Sequence, residues 1–419
     1  MTGGGPPTPP AGLARRLGVG DAVVIGLGAM IGAGVFAAFA PAAAAAGDAL
    51  LPALGLAALV AYCNATSSAR LAARHPLSGG TYVYGRERLG EVWGYLAGWA
   101  FVAGKTASCA AMALVVGAYL WPGHEHPVAV AAVVALTALN DAGVRKAAWA
   151  TRLIVAVVLL TLAVAVAACL AGGRAGLAGQ EPLATTAGGV LQAAALLFFA
   201  FAGYARITTL GEEVRDPART IPRAVPIALG ITLLVYAAVA VALLAALGPD
   251  RLARATAPVA DAVRAAGAGP LVPLVTVGAA TAALGSLLAL LLGVSRTVLA
   301  MARDGHLPRA LDAVHPRTGV PHHAQTATGL VVAVIAAVAD VRGAIGFSSF
   351  GVLVYYAIAN ASALRLTPAE HRPPRVVPVA GIAGCLALAF SLPAASVVSG
   401  GAVLAAGLAV WGVRRALRR

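Results

Sequence analysis

Read along the chain, apolar residues come in long unbroken runs separated by short basic or Pro/Gly-rich stretches. They lie near 20–44, 50–72, 92–121, 128–141, 150–171, 188–209, 225–247, 270–299, 325–339, 346–366, 377–393 and 396–413. A spanning helix needs about 20 predominantly apolar residues, so this pattern predicts about twelve transmembrane helices. The fourth and ninth runs are short for a span. The third and eighth are long enough to tilt or to project beyond the bilayer.

Two runs are interrupted. The first, VVIGLGAMIGAGVFAAFAP, holds Gly26, Gly28, Gly32 and Gly34 in mid-span, and the sixth has Gly203 after the aromatic cluster in LLFFAFAGYARITTL. Helix-breaking backbone at membrane depth survives only where it is buried in protein or lines a cavity. Glycine interruptions at corresponding places of two halves point to a transporter binding site. The two runs are five apart, as two five-helix inverted repeats with two trailing helices require. The Gly28-x-x-x-Gly32 spacing also fits close helix packing of the small-xxx-small kind.

Composition agrees with the pattern: 60% of residues are hydrophobic and 11% charged, far too few charges to cover a soluble surface. The net charge of +14 would suit a nucleic-acid partner, but its placement says otherwise. Of 30 Lys and Arg, 23 lie in or beside every second segment, five lie in the intervening loops, and Lys105 and Arg206 lie inside apolar runs. That alternation is the positive-inside rule, and it puts both termini in the cytoplasm. Residues 1–16 read as a disordered cytoplasmic tail, 17–172 as the first repeat, 185–367 as the second, 375–414 as two last spans, and 415–419 as a basic tail. No cleavable signal is evident.

The four cysteines stand alone in apolar segments without metal or disulfide spacing. The sequence contains no GxSxG, HExxH or Walker A pattern, so neither an intramembrane hydrolase nor ATP-driven transport is expected. No cofactor, metal or nucleic acid is expected either.

Four ordered stretches carry a resemblance: GLGAMIGAGVF, HPLSGGTYVYGRERLG, FFAFAGYARITTLGEEVRDPARTIPRAV and LLLGVSRTVLAMARDGHLP. On them the chain, from about residue 17 to 414, resembles the amino acid–polyamine–organocation transporter family. The resemblance implies the leucine-transporter-type fold, with a central site between broken helices one and six.

The physics of such a site stands by itself. A zwitterion in mid-membrane needs partners for both charges, and a broken helix supplies amides for the carboxylate and carbonyls for the ammonium. The carboxylate is assigned to amides around Gly32, Ala33 and Gly34. The ammonium is assigned to carbonyls near Met30 and Ile31, and across the cavity along Phe198, Phe199, Ala200 and Phe201, with Gly203 at the second interruption. Phe198 is the candidate aromatic lid; ordinary helix packing explains it equally well.

Charges inside a span are functional candidates. Many relatives carry a glutamate where this chain has Gly104, a lysine at the place of Val158, and an acid at the place of Ala205. Lys105 is therefore a candidate for a displaced fixed cation, with snorkelling or an ion pair as the alternative. Arg206 either disfavours dibasic substrates by repulsion or lies below the site and pairs with Glu212 or Glu213. A coupling cation would lie between carbonyls of Gly28 and Ile31 and hydroxyls of the eighth segment, Thr281 and Ser286 being the nearest. Glu212, Glu213 and Arg215 form a candidate inner gate of exchangeable ion pairs. Pro217 and Pro222 are expected to end and restart helices beside it.

The sequence thus predicts a secondary transporter of amino acids in the plasma membrane. Neutral substrates are expected rather than cationic ones, with proton coupling or exchange. The alternatives are a cationic amino acid or polyamine antiporter, or a sensor or channel that does not accumulate substrate. Its expected partners are a small-molecule substrate, a proton or sodium ion, and the lipid bilayer.

Overall fold

The computed structural model describes residues 17–75, 79–142, 148–172, 185–211, 213–316 and 318–417. Among them the chain is helical throughout, and its one β-type contact is an isolated parallel bridge between Leu17 and Val214. Nine helical stretches of the described residues are long and apolar enough to span a membrane, with two shorter apolar helices beside them. The protein is an all-α polytopic membrane protein.

The helices are α1 (Val19–Met30), α2 (Ala33–Ala37), α3 (Phe39–Ala46), α4 (Leu50–Arg74), α5 (Thr81–Leu89), α6 (Glu91–Leu120), α7 (Glu125–Asp141), α8 (Ala148–Ala171) and α9 (Ala187–Phe201). There follow α10 (Ala205–Thr208), α11 (Pro217–Arg254), α12 (Pro258–Ala265), α13 (Val272–Arg303), α14 (His322–Val338), α15 (Val341–Leu364), α16 (Val376–Ser391) and α17 (Ala394–Leu417). The short fourth and ninth runs are α7 and α14, of 17 residues each. The long third and eighth runs are α6 and α13, of 30 and 32.

The apolar pattern did not announce α5, which pairs through Arg86 with Asp304 beyond the end of α13, or α12, whose Val259 amide donates to Tyr119. Pro217 opens α11 as its first residue, behind Asp216 in the left-handed region, φ 45°. Pro222, expected to interrupt that helix, lies inside it. Pro217 fits the first position, where the amide has no intrahelical partner; Pro222 forgoes one bond within the helix, which continues past it.

Contacts near the chain ends define one basic side of the bundle. Leu17 pairs with Val214, Asp21 with Arg152, and Arg414 with the carbonyl of Gly305. The most heavily buried spanning helices are α6 and α15, which cross closely where Gly104 meets Gly351. A methyl on Gly104 would approach the Ser348 carbonyl oxygen to 3.2 Å.

Candidate functional site

The first span breaks where expected, but at two residues only. Gly26 and Gly28 stay helical, and the helix stops at Met30. Ile31 (φ −82°, ψ 61°) and Gly32 (φ −114°, ψ −142°) then depart from helical geometry before α2 begins. Ala38 keeps right-handed helical angles, so α2 and α3 act as one half-helix over 33–46. No side chain caps its N-terminus at Gly32, which leaves first-turn amides for another partner.

The sixth span behaves differently. Instead of unwinding, it tightens into a 3-10 turn over Ala202–Tyr204 between α9 and α10. Such a turn within a helix is a common hinge. Glycines bring the two interrupted spans together. A methyl on Gly34 would lie 2.7 Å from Ala200 Cβ, one on Gly203 2.2 Å from the Ala29 oxygen, and one on Gly26 2.4 Å from Ile207. On its other side Gly32 meets α13, where a methyl would approach Ser286 Oγ to 2.1 Å.

Ser286 is therefore the hydroxyl at the break. It is 6% exposed and its Oγ has no hydrogen-bond partner among the described residues. Thr281 lies five residues earlier, about 140° around the helix at 100° per residue, and is only half-buried. The structure brings one of the two candidate hydroxyls to the break and not the other. Among the described residues no backbone amide donates to the carbonyls of Gly28 or Ile31. The Met30 carbonyl, by contrast, accepts the Gly32 amide at 2.9 Å and the Tyr236 hydroxyl at 2.6 Å.

A graded exposure locates the access route. Along one face of α13, Ala282 and Ser286 are buried, Ala289 is exposed, Gly293 half-buried and Arg296 exposed. Along α1, Asp21, Val24, Ile25, Gly28 and Ala29 are half-buried, whereas Gly32 through Ala43 are all buried. Exposure thus rises along both helices from the α1 break toward the basic side, and this strip is taken as the candidate crevice. Its far end is sealed by Tyr119 on α6, which donates to the Phe36 carbonyl and accepts the Val259 amide of α12.

Arg206 stands in this crevice. It is exposed, donates to Thr209 Oγ1 at 3.3 Å, and lies within electrostatic range of Glu213 and Arg296. No ion pair joins it to Glu213. The inner-gate residues divide likewise. Glu212 lies outside the described residues, while Glu213 and Arg215 hold Leu17 through backbone hydrogen bonds of 3.1 and 2.8 Å. Ion pairs on this side include Asp216–Arg219 beside the gate stretch, Asp21–Arg152, Arg86–Asp304, Arg303–Asp312, and Glu370 with Arg74 and Arg88. Arg88 at 2.5 Å, the Thr367 amide and Arg74 hold the Glu370 carboxyl well below the usual carboxylate range.

The aromatic candidates pack among themselves. Phe198 meets Tyr356 edge-on with ring centroids 5.8 Å apart, Phe201 meets Tyr236 at 5.0 Å, and both are fully buried. Phe199 keeps 9% of its surface exposed. Lys105 is 8% exposed and shares its face of α6 with Gly98, which packs on Met301, and with Cys109, which belongs to the same buried cluster as Leu287 and Leu291. That face looks toward α13. On α8, Thr151 and Val155 meet Gly28, and Val158 is fully buried. The sequence did not single out Tyr119 or Tyr236. The first reads as an interfacial aromatic at a helix end, and the second is a lone hydroxyl in an apolar run.

A broken first span packed on a hinged sixth, with a crevice leading to the break, is a carrier's arrangement. A profile of the family described as amino acid permease matches residues 17–413. The chain belongs to the amino acid permease family. It is 67% identical over 416 residues to an uncharacterized transporter of Mycobacterium tuberculosis, covering 98% of this chain and 93% of that one. A protein of Arabidopsis thaliana named vacuolar cationic amino acid transporter 2 is 31% identical over 397 residues, 86% of this chain and 61% of its own. A branched-chain amino acid permease of Bacillus subtilis is 26% identical over 415 residues, 91% and 88% of the two chains. This permease is accordingly a multi-pass membrane transporter, not an enzyme.

Proposed function

We propose that the protein is a secondary active transporter that moves amino acids, neutral rather than cationic, across the plasma membrane by alternating access. The observation that carries this is the α1 break at Ile31–Gly32, at the closed end of a crevice and against the unpartnered Ser286 hydroxyl. The uncapped half-helix offers amides of Ala33 and Gly34 to a carboxylate. Two donors already saturate the Met30 carbonyl, so the ammonium falls to the free Ile31 carbonyl and to α9 across the cavity. The Gly28 carbonyl and Ser286 Oγ then remain for a coupling ion.

Arg206 and Arg296 give the crevice a cationic lining, which supports neutral over dibasic substrates. Proton coupling or exchange fits the scarcity of hydroxyls at the break, and Lys105 is the buried amine that proton coupling would draw on. Among the described residues no carboxylate forms an ion pair with Lys105. Irregularities at corresponding places, an unwound break after α1 and a 3-10 turn between α9 and α10, support repeats over 17–172 and 185–367, and the basic side is taken as cytoplasmic.

The test is uptake by proteoliposomes under an imposed proton or sodium gradient, with labelled leucine, lysine and other amino acids. Gradient-driven accumulation or exchange of leucine-like substrates is expected. Lysine alone would favour the cationic reading. Flux without accumulation or exchange would favour a channel or sensor and overturn ours.

A further inference from the structure

Tyr236 lies near the middle of α11 and is fully buried. Its hydroxyl is 2.6 Å from the Met30 carbonyl oxygen, the last residue of α1, and 3.0 Å from the Ala200 oxygen in the final turn of α9. One phenol therefore meets the ends of both interrupted spans. Its ring is held in turn by Phe201 at 5.0 Å and Phe39 at 6.2 Å, one from each side of the crossing. The neighbouring Thr232 points its hydroxyl at Met30 Sδ, 3.7 Å away.

A helix end carries carbonyls with no partner inside the helix. At membrane depth, water does not freely supply one, so a protein donor on such a carbonyl is a strong tether. Tyr236 supplies the donor for two helix ends with a single proton. Moving α1 without α9, or α9 without α1, would pull one of these two carbonyls away from the phenol; Met30 would keep only the Gly32 amide. The clasp therefore penalises independent motion of the two ends and leaves joint motion free. It also fixes the direction of the Met30 carbonyl and, with it, the Ile31–Gly32 backbone that follows.

We propose that Tyr236 is a positioning residue for the amino acid site: its hydroxyl ties the ends of α1 and α9 into one body and sets the backbone at the α1 break. This rests on the proposed transport function. Its readout is the Michaelis constant for the amino acid, since a misdirected break weakens binding while the rest of the cycle continues.

The experiment compares purified Tyr236→Phe with wild type in proteoliposomes, using the amino acid that the wild type transports best. Tyr95→Phe serves as the control. Tyr95 is an equally buried tyrosine whose hydroxyl donates to the Gly407 carbonyl at 2.9 Å, away from the site. Each purified variant is also heated with and without that amino acid. Tyr236→Phe should raise KM about tenfold, equivalent to about 1.4 kcal/mol, and lose most of the ligand-induced rise in Tm. Tyr95→Phe should keep both. Unchanged KM in Tyr236→Phe, or an equal change in both variants, overturns the proposal. A wild type that transports no amino acid overturns the transport reading instead.

Discussion

The Tyr119 hydroxyl on α6 donates to the Phe36 carbonyl on α2 at 2.9 Å, and the two rings pack edge-on with centroids 5.8 Å apart. The same oxygen accepts the Val259 amide of α12 at 3.3 Å. One side chain thus joins the half-helix beyond the break, a spanning helix and the surface helix above them. The crevice is closed on that side and open on the basic side.

Tyr119→Phe should loosen that closure. Leaving a buried donor and acceptor unpaired costs about 1–3 kcal/mol, which shifts a two-state balance by roughly tenfold or more. A cysteine introduced at Ala40, which is 3% exposed, reports the change. The four native cysteines are buried, so background labelling should be low. The reagent, applied from the side opposite the basic one, should react several-fold faster when Tyr119→Phe is added; an equal rate counts against the closure.

Gly203→Ala and Gly230→Ala should have opposite effects. At Gly203 the new methyl would meet the Ala29 carbonyl and Met30 amide, backbone that no rotamer change relieves, whereas nothing lies within 4 Å at Gly230. Overpacking costs about 1–3 kcal/mol, while alanine in an open helical position gains up to about 1 kcal/mol over glycine. Thermal unfolding in detergent checks the signs: a lower Tm and lost transport for Gly203→Ala, an equal or higher Tm for Gly230→Ala.

Much of this arrangement is legible in the sequence, because a bilayer makes hydrophobic length nearly equivalent to structure. The runs near 50–72, 92–121 and 188–209 became α4, α6 and α9–α10 with ends shifted by one or two residues. The α1 break was readable because the glycines of the first run match an interruption five runs later; taken alone they also suit close helix packing. What escaped depends on which faces meet. Ser286 and Thr281 look alike in sequence, but only one faces Gly32. Tyr236 and Tyr119 act on carbonyls distant in sequence, and no local pattern marks such a partnership. Phe198, the candidate lid, rests its ring edge-on against Tyr356, a partner no local pattern marks.

Ser286→Ala separates function from folding. An unpartnered buried hydroxyl costs stability, so its removal should leave Tm equal or slightly higher. If that oxygen helps to hold the coupling ion, gradient-driven accumulation should fall about tenfold while exchange of labelled for unlabelled substrate persists. Parallel loss of both activities would assign Ser286 to the substrate instead.

Glu370 ties the ends of α4 and α5 to the loop before α16, through Arg74 at 3.0 Å and Arg88 at 2.5 Å. Its carboxyl is held below its ordinary range, chiefly by Arg88. The unfolded chain therefore takes up this proton first as pH falls. The clasp contributes fully above the usual carboxylate value of about 4.3 and is lost progressively as pH drops below it toward the depressed folded value. Glu370→Gln should lower Tm by a constant amount from pH 6 to 8, with the gap closing in strong acid. A gap that changed across neutral pH would implicate another group.

The proposed preference for neutral substrates is tested at Arg206. This residue is exposed and lies within electrostatic range of Arg296. A lysine-like substrate passing this point brings a second positive charge toward two guanidinium groups. At an effective dielectric of about 20, like charges several ångströms apart repel by roughly 2 kcal/mol. Salt and water in an open crevice reduce this by half or more. What remains corresponds to a three- to tenfold effect, roughly, on selectivity. Arg206→Ala should therefore raise lysine transport relative to leucine by about that factor, and Arg206→Lys should not. The effect should shrink as salt is raised, because screening acts on the repulsion and not on pocket shape. An unchanged lysine-to-leucine ratio in Arg206→Ala would remove Arg206 from selectivity and leave it as a solvated residue of the inner mouth.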